Sequence, residues 1–302
     1  MKSNQSVVVK VPATAANLGP GFDSLGLALT LYNSFEFSLQ ESDVTVSGCR
    51  EEFCNADNLA VTSFFQCWKL FGMPETGVNL NIKSNVPVGS GLGSSSTCVV
   101  AGVMAANILA EKGLSREELV EIATEIEGHP DNVAPAILGK MVIAVQEHQN
   151  IFCNVLTVAT GLQFVAMTPN YSVSTEKARE LLPDSLSFAD AVFNVGRVGL
   201  LISSLVNGNF HNLQAAFKDR LHEPCRSKLI KEWDDVCKFA ENVRSEAFFI
   251  SGSGPTVILV FQDNGKEYFD KIQEKISEAL PGWTARELRI DWQGARTKLV
   301  KS

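Results

Sequence analysis

Histidine, tryptophan and tyrosine are scarce in this chain of 302 residues, at four, four and three. Of the histidines, His148, His211 and His222 do not stand at metal-ligand spacing from one another, which speaks against a histidine-based metal centre. The seven cysteines are an odd number and include no C-x-x-C pair, so neither a disulfide framework nor a zinc knuckle is indicated. Most of them read as buried thiols acting as small hydrophobes. Basic residues are outnumbered, 26 Lys and Arg against 34 Asp and Glu, giving a net charge of −8. An acidic surface attracts neither nucleic acid nor an anionic membrane, and neither partner is expected. No apolar run reaches bilayer-spanning length, and the N-terminal MKSNQSVVVKV lacks the apolar core of a signal peptide, so a cytoplasmic protein is expected. There is no internal repeat and no low-complexity tract.

Enough apolar material is present, at 45% of residues, to bury a sizeable core in one large domain or two smaller ones. The divide is best placed near residue 155, giving domains 1–155 and 156–302. Period-two alternation predicts strands at 6–11, a strand pair around Gln40 to Ser42, and a strand before Val86. Helical periods predict helices at 58–71, from Ser94, after the capping box Ser115–Glu118, and at 188–206, 209–220, 226–243 and 265–279. Two strands joined at Ser251–Pro255 and a strand near 284–290 complete the second half, and Pro12 to Asp23 reads as a loop.

The densest signal is Val86 to Thr97, VPVGSGLGSSST. Gly89, Gly91 and Gly93 let successive N–H groups turn inward, and the small, apolar stretch from Ser94 delivers whatever they hold to a helix N-terminus. Free N–H groups and the helix dipole there favour an anion, and the serine hydroxyls can bond phosphate or ligate Mg²⁺. A Walker A loop needs Gly-Lys-Ser/Thr and a dinucleotide loop needs GxGxxG; this stretch is GxGxG followed by serines, and is neither. Further on, Glu125 and Glu127 crowd the last turn of the helix after Ser115, where the dipole disfavours carboxylates unless a cation compensates. The Ser251–Pro255 turn, SGSGP, brings backbone close to a ligand or simply closes a hairpin.

PVGSGLGSS resembles the phosphate loop of the small-molecule kinase superfamily named after galactokinase, homoserine kinase, mevalonate kinase and phosphomevalonate kinase (GHMP). PATAANLGPGFD at 12–23 and ISGSGPTV at 250–257 resemble its first and third motifs, in the right order. NLGPGFD, HPDNVAPA at 129–136, STEKAR at 174–179 and HEPCR at 222–226 are similar to the homoserine kinases in particular, over nearly the whole chain. The resemblance implies an α+β, two-domain fold: an N-terminal α/β domain like ribosomal protein S5 domain 2 and a C-terminal ferredoxin-like domain, with the site between them. It implies transfer of the γ-phosphate of ATP to the side-chain hydroxyl of L-homoserine, with Mg²⁺ as cofactor, and a homodimer on resemblance alone.

The residues implied are specific. Pro87, Val88, Gly89, Ser90, Gly91, Leu92, Gly93, Ser94, Ser95, Ser96 and Thr97 wrap the phosphates, and Ser95 and Glu127 hold Mg²⁺, with Glu125 as the alternative acid. A zwitterion needs a carboxylate for its ammonium and arginines for its carboxylate; Asp23, Arg179 and Arg226 supply these, with Asn17, Asn132 and Gly254 completing the pocket. Mevalonate-type kinases carry an aspartate base where this chain places Asn132, so orientation and electrostatics carry the rate, with Asp131 structural or, alternatively, the group at the hydroxyl. His129 is expected to be a hydrogen-bonded support. Two other readings stay open: a superfamily kinase for another small alcohol, and a non-catalytic metabolite sensor.

Overall fold

The computed structural model describes residues 5–148, 150–263 and 265–301; the first four residues of the N-terminal stretch read above lie outside them. The first half runs β1 (Gln5–Ala16), β2 (Leu25–Gln40), β3 (Val44–Ser47), α1 (Leu59–Leu70), β4 (Gly77–Lys83), α2 (Ser94–Leu109), α3 (Arg116–Glu127), α4 (Pro130–Leu138), β5 (Met141–Glu147) and β6 (Asn150–Leu156). The second runs β7 (Leu162–Pro169), α5 (Thr175–Glu180), α6 (Phe188–Asn207), α7 (Leu213–Ala216), α8 (Glu223–Arg226), α9 (Trp233–Asn242), β8 (Ala247–Ile250), β9 (Val257–Gln262), α10 (Lys266–Ala279), β10 (Trp283–Leu288) and β11 (Arg296–Lys301).

Two sheets result. In the larger, β11, β1, β2, β4 and β3 lie in that order, and the long β2 pairs a second time, through Leu25–Leu27, with β5, which carries β6. The smaller sheet has the order β10-β7-β9-β8 and is antiparallel throughout. Strand alternation sorts the core into layers. Phe35 and Phe37 face α1 and α2, where Phe64, Trp68, Val99, Val100 and Val103 meet them. On β7, Val165 and Met167 face α9 and α10, while Phe164 and Ala166 face Leu25, Leu27 and Leu29 of the first sheet. That shared middle layer holds the two halves in register, and the loops at its end converge on one cleft.

Several expectations change. The chain from Gln40 to Val44 makes no hairpin: β3 runs parallel to β4, which inserts between it and β2. Glu41–Ser42 lacks the Gly or Asn that a two-residue hairpin turn requires. Pro12–Ala16 is strand, because Ala13 and Ala15 are wholly buried beyond an irregularity at Pro12; only the stretch after Ala16 is loop. The helix expected at 209–220 stops at Ala216, since the chain then wraps Asp219, whose Oδ2 accepts the N–H groups of Leu221, His222 and Glu223. The helix expected at 226–243 is broken where Ile230 adopts an extended backbone. One helix, α6, does have the length and composition to cross a membrane, contrary to expectation, but Asn194, Leu201, Ser204 and Leu205 are buried against the fold.

Candidate active site

The phosphate-type loop is positioned by a buried amide. Asn33, on β2, accepts the N–H groups of Asn85 and Val86 at 2.8 and 2.9 Å and donates to Thr97, so both ends of the glycine stretch hang on one side chain. Gly91 and Gly93 have φ of 84° and 69°, a region L residues rarely enter. A Cβ at Gly91 would meet the carbonyl oxygen of Ser251, and one at Gly93 the hydroxyl of Thr14. The loop is thus threaded between β1 and the Ser251–Pro255 turn, and Ser251 Oγ donates to Gly91 O at 2.7 Å. Helix α2 begins at Ser94 with Gly93 as a cap that offers no side-chain acceptor, which leaves its first turn open to an anion.

Glu127 closes one wall. Ser95 Oγ donates to its carboxylate oxygens at 3.1 Å and Ser96 Oγ at 2.5 Å. Glu125, two residues earlier on α3, is exposed and does not line the cleft. Past Gly128 the chain re-enters helix at once: Pro130 is the first residue of α4, where a missing N–H costs nothing. This puts Asp131 and Asn132 at a helix start facing α2. Asp131, 3% exposed, bonds His129 Nδ1 at 2.6 Å, and Asn132 Oδ1 accepts from Thr14 Oγ1 at 2.7 Å. Burial lowers the pKa of His129, but the Asp131 bond and the charges of Asp131, Glu127 and Asp23 outweigh it, and the net direction is up.

The opposite wall is built on the loop after β1. Asn17 and Asp23 both have positive φ, 70° and 53°, and the Asn17 amide spans the gap: Nδ2 donates to Gly252 O at 3.0 Å and Oδ1 accepts from Asp23 N at 3.0 Å. Asp23 is gripped from α5 by Arg179, whose two terminal nitrogens bond its two oxygens at 2.8 and 3.0 Å. That bond raises the pKa of Arg179 further. Arg226, on α8, is 2% exposed; it donates to Gly252 O at 2.8 Å and leaves its buried Nε with no partner among the described residues. Burial lowers its pKa. Phe22 carries both guanidinium groups over its ring, at 5.6 Å for Arg179 and 5.0 Å for Arg226.

The two walls and the glycine loop enclose a cavity of about 280 Å³. Of the residues expected from sequence, the loop from Gly89 to Gly91, Gly93 with Ser94–Ser96, and Asn17, Asp23, Glu127, Asn132, Arg179 and Arg226 face it, as do His129 and the alternative acid Asp131. Pro87, Val88, Leu92, Thr97 and Gly254 do not. Leu92 is buried, Thr97 Oγ1 is spent on Ser94 O, and at the Ser251–Pro255 turn Gly252 and Ser253 stand where Gly254 was expected. Thr14 and Thr175 were missed: the first bonds Asn132 and the second bonds Ser253 at 3.2 Å. Both lie inside the quoted motifs, as the threonines of PAT and STEKAR, so position within a motif was the available signal.

The chain matches two family descriptions, the GHMP kinases N-terminal domain over residues 58–140 and the GHMP kinases C-terminal domain over 201–282. It is 41% identical over 288 residues to a homoserine kinase of Clostridium botulinum strain Langeland, covering 95% of this chain and 97% of that one. A crystal structure of homoserine kinase from Cytophaga hutchinsonii superimposes with a TM-score of 0.87 at 30% identity, covering 99% and 98% of the two chains. A putative homoserine kinase from Listeria monocytogenes gives a TM-score of 0.81 at 31% identity, over 97% and 99%. With the α+β fold of two sheets, the glycine loop at a helix start and the paired-charge wall in one cleft, the chain belongs to the homoserine kinases of the GHMP kinase superfamily.

Proposed function

We propose that this protein is a cytoplasmic enzyme that transfers the γ-phosphate of ATP to the side-chain hydroxyl of L-homoserine, giving O-phospho-L-homoserine and ADP. The observation that carries the reading is that one cavity joins an uncapped helix start to a wall holding one carboxylate and two arginines. The first suits a phosphate chain and the second a zwitterion. Mevalonate, with no ammonium group, would leave Asp23 without its partner, and a neutral sugar would satisfy neither charge.

The geometry supports the following roles. Backbone N–H groups of the loop from Gly89 and the first turn of α2 receive the phosphates, each charge-assisted bond contributing roughly 1.5–3 kcal/mol. Ser95 and Glu127 form an all-oxygen donor pair, which suits Mg²⁺: that ion is held by one or two carboxylates and by substrate phosphates rather than by a full protein cage. When bound it would neutralise charge on the phosphates. Among the described residues there is no cluster of three His, Cys, Asp or Glu side chains able to hold a metal unaided, consistent with that mode.

At the other end, the substrate ammonium takes Asp23 and its carboxylate takes Arg179 and Arg226, so the zwitterion enters between charges that otherwise satisfy each other. Asn132, fixed by Thr14, orients the hydroxyl. Its oxygen attacks the γ-phosphorus as the bond to the β-bridging oxygen breaks; ADP departs, and the hydroxyl proton passes towards the transferred phosphate. No ionised base is assigned to that proton, and the rate derives from alignment and electrostatic stabilisation. The test is ADP release with ATP, Mg²⁺ and a panel of homoserine, threonine, mevalonate, shikimate and galactose. Release with homoserine far above the rest is expected; equal release with amine-free alcohols, or none with any, overturns the reading.

A further inference from the structure

Seven thiols are spread over the chain, and two of them touch. Cys49 and Cys54 flank a short 3₁₀ turn, Glu51–Phe53, between β3 and α1, and their sulfur atoms stand 3.5 Å apart. Among the described residues Cys54 is the one exposed cysteine; the others are half-buried or buried. Its thiol donates into the start of the turn, 3.6 Å from the carbonyl oxygen of Cys49 and 3.5 Å from that of Arg50. Burial, and then the neighbouring Cys54, push the Cys49 thiol up to about 11. Cys49 therefore keeps its proton at neutral pH, and Cys54 is the sulfur that a molecule in solvent meets first.

This turn reaches the phosphate loop by two routes. Cys98, in the second turn of α2, is near enough to Cys49 for the charges of the two sulfurs to interact, and it also feels Glu127. Phe53, inside the turn, accepts from Asn58 Nδ2 at 2.9 Å, and Asn58 Oδ1 caps α1 through the N–H of Ala60 at 3.0 Å. Helix α1 lies hard on α2, since a Cβ at Gly102 would meet the carbonyl oxygen of Ala60 and the nitrogen of Phe64. Rewinding of the cysteine turn is thus passed through Asn58 and α1 to the helix whose start faces the cavity. We propose that Cys49 and Cys54 form a reversible disulfide by exchange with a low-molecular-weight disulfide, and that closing this bond weakens nucleotide binding at α2. The Cys54 thiolate attacks one sulfur of the small disulfide; a mixed disulfide forms as the small S–S bond breaks, and one thiolate leaves. Cys49, losing its proton, attacks the Cys54 sulfur, the bond between the two cysteines forms, and the second thiolate leaves. Two electrons pass from the protein to the small disulfide, and the two protons end on the two thiols released. The bond takes the Cys54 S–H away from the carbonyls of Cys49 and Arg50, so the turn rewinds, and the start of α2 loses the setting it has in the reduced protein. In a cytoplasmic protein such a bond acts as a redox sensor rather than a staple. The effect on nucleotide rests on the kinase reading above; formation of the bond does not.

The test equilibrates the full chain, without oxygen, in mixtures of glutathione and glutathione disulfide over a roughly 100-fold range of ratios, then blocks free thiols with N-ethylmaleimide for mass spectrometry. Oxidised wild type should take two labels fewer than its seven cysteines allow. Trypsin, cutting after Arg50, should leave the peptide 11–50 joined to 51–69. Dithiothreitol should reverse the link, and Cys54→Ser should abolish it. A fluorescent ATP analogue should bind the oxidised wild type at least about fivefold more weakly and regain its affinity on reduction. Cys54→Ser given the same oxidation should bind it as the reduced wild type does. A glutathione adduct on Cys54 that does not close, a bond to Cys98 instead, or no loss of label at any ratio would each overturn the site. A closed bond with unchanged nucleotide affinity would overturn the coupling. Absence of nucleotide binding by the reduced protein would sink the kinase reading and the coupling with it, whereas the link is scored by mass alone.

Discussion

Asp23 and Arg179 meet as a two-pronged ion pair across 156 positions of sequence, at 2.8 and 3.0 Å, and close the substrate wall of the cleft upon itself. Each group is the other's partner here, and in the proposed reaction both turn to the zwitterionic substrate. Removing one member leaves the other uncompensated in a partly enclosed site, and removes a charge-assisted contact to the substrate. Arg179→Met is therefore expected to raise KM for homoserine about 100-fold, corresponding to roughly 2.7 kcal/mol, while KM for ATP stays within about twofold. Equal weakening of both, in initial-rate measurements, would mean that the amino-acid pocket is misplaced.

The choice between two acids on α3 gives a second prediction. Glu127 accepts from Ser95 and Ser96, whereas Glu125 is exposed and outside the cavity. Glu127→Gln should raise the Mg²⁺ concentration for half-maximal rate about tenfold or more, and Glu125→Gln should leave it unchanged. Titration of activity with Mg²⁺ at saturating ATP distinguishes them, and the reverse result would exchange their roles.

Asp131 and Asn132 are neighbours with different bonding partners. Both line the cavity, Asp131 nearly buried and bonded to His129, Asn132 held by Thr14. Asp131→Asn is expected to cost about 1–3 kcal/mol of stability in urea unfolding and leave kcat within about tenfold. Asn132→Ala should lower kcat about 100-fold or more with little change in stability. Loss of many orders of magnitude for Asp131→Asn, with Asn132→Ala nearly normal, would make Asp131 the base.

Glu223 carries a pH dependence of its own. It is half-buried, accepting only the Ile250 N–H among the described bonds, and desolvation pushes its pKa up to about 8. The folded protein therefore keeps a proton that the unfolded chain releases above its ordinary value near 4.5. Between those two values the native state binds more protons, so the sign is negative: stability falls as pH rises from about 4.5 to about 8. Glu223→Gln should flatten this slope and stabilise the protein by about 1 kcal/mol or more at pH 8 relative to pH 5. Urea midpoints of the two proteins across that range provide the check, and parallel curves would contradict the assignment.

What was legible in the sequence is explained by locality. The glycine loop, its helix and the capping box of α3 are contiguous, and their local rules met no opposition from the rest of the fold. The parallel pairing of β3 with β4 and the return of Arg296–Lys301 to the edge of the first sheet depend on contacts between distant segments, which periodicity does not encode. Helix α4 was hidden by its prolines: Pro130 starts the helix, and Pro135 sits inside it. Within the site, residue types were readable but partners were not. Asn17, expected at the substrate, spends both ends of its amide on Gly252 and Asp23, and the pairing of Asp23 with Arg179 appears only once the loop after β1 meets α5.

The claim on which the account rests is that main-chain N–H groups from Gly89 into the first turn of α2 hold the phosphates of the nucleotide. Hydrogen–deuterium exchange with a non-hydrolysable ATP analogue and Mg²⁺, read by mass spectrometry, tests it directly. Peptides spanning residues 86–97 should slow in exchange more than any others, and homoserine added afterwards should extend protection to 17–26 and 174–180. Unchanged exchange over 86–97 under nucleotide saturation, with protection appearing elsewhere, would contradict the account.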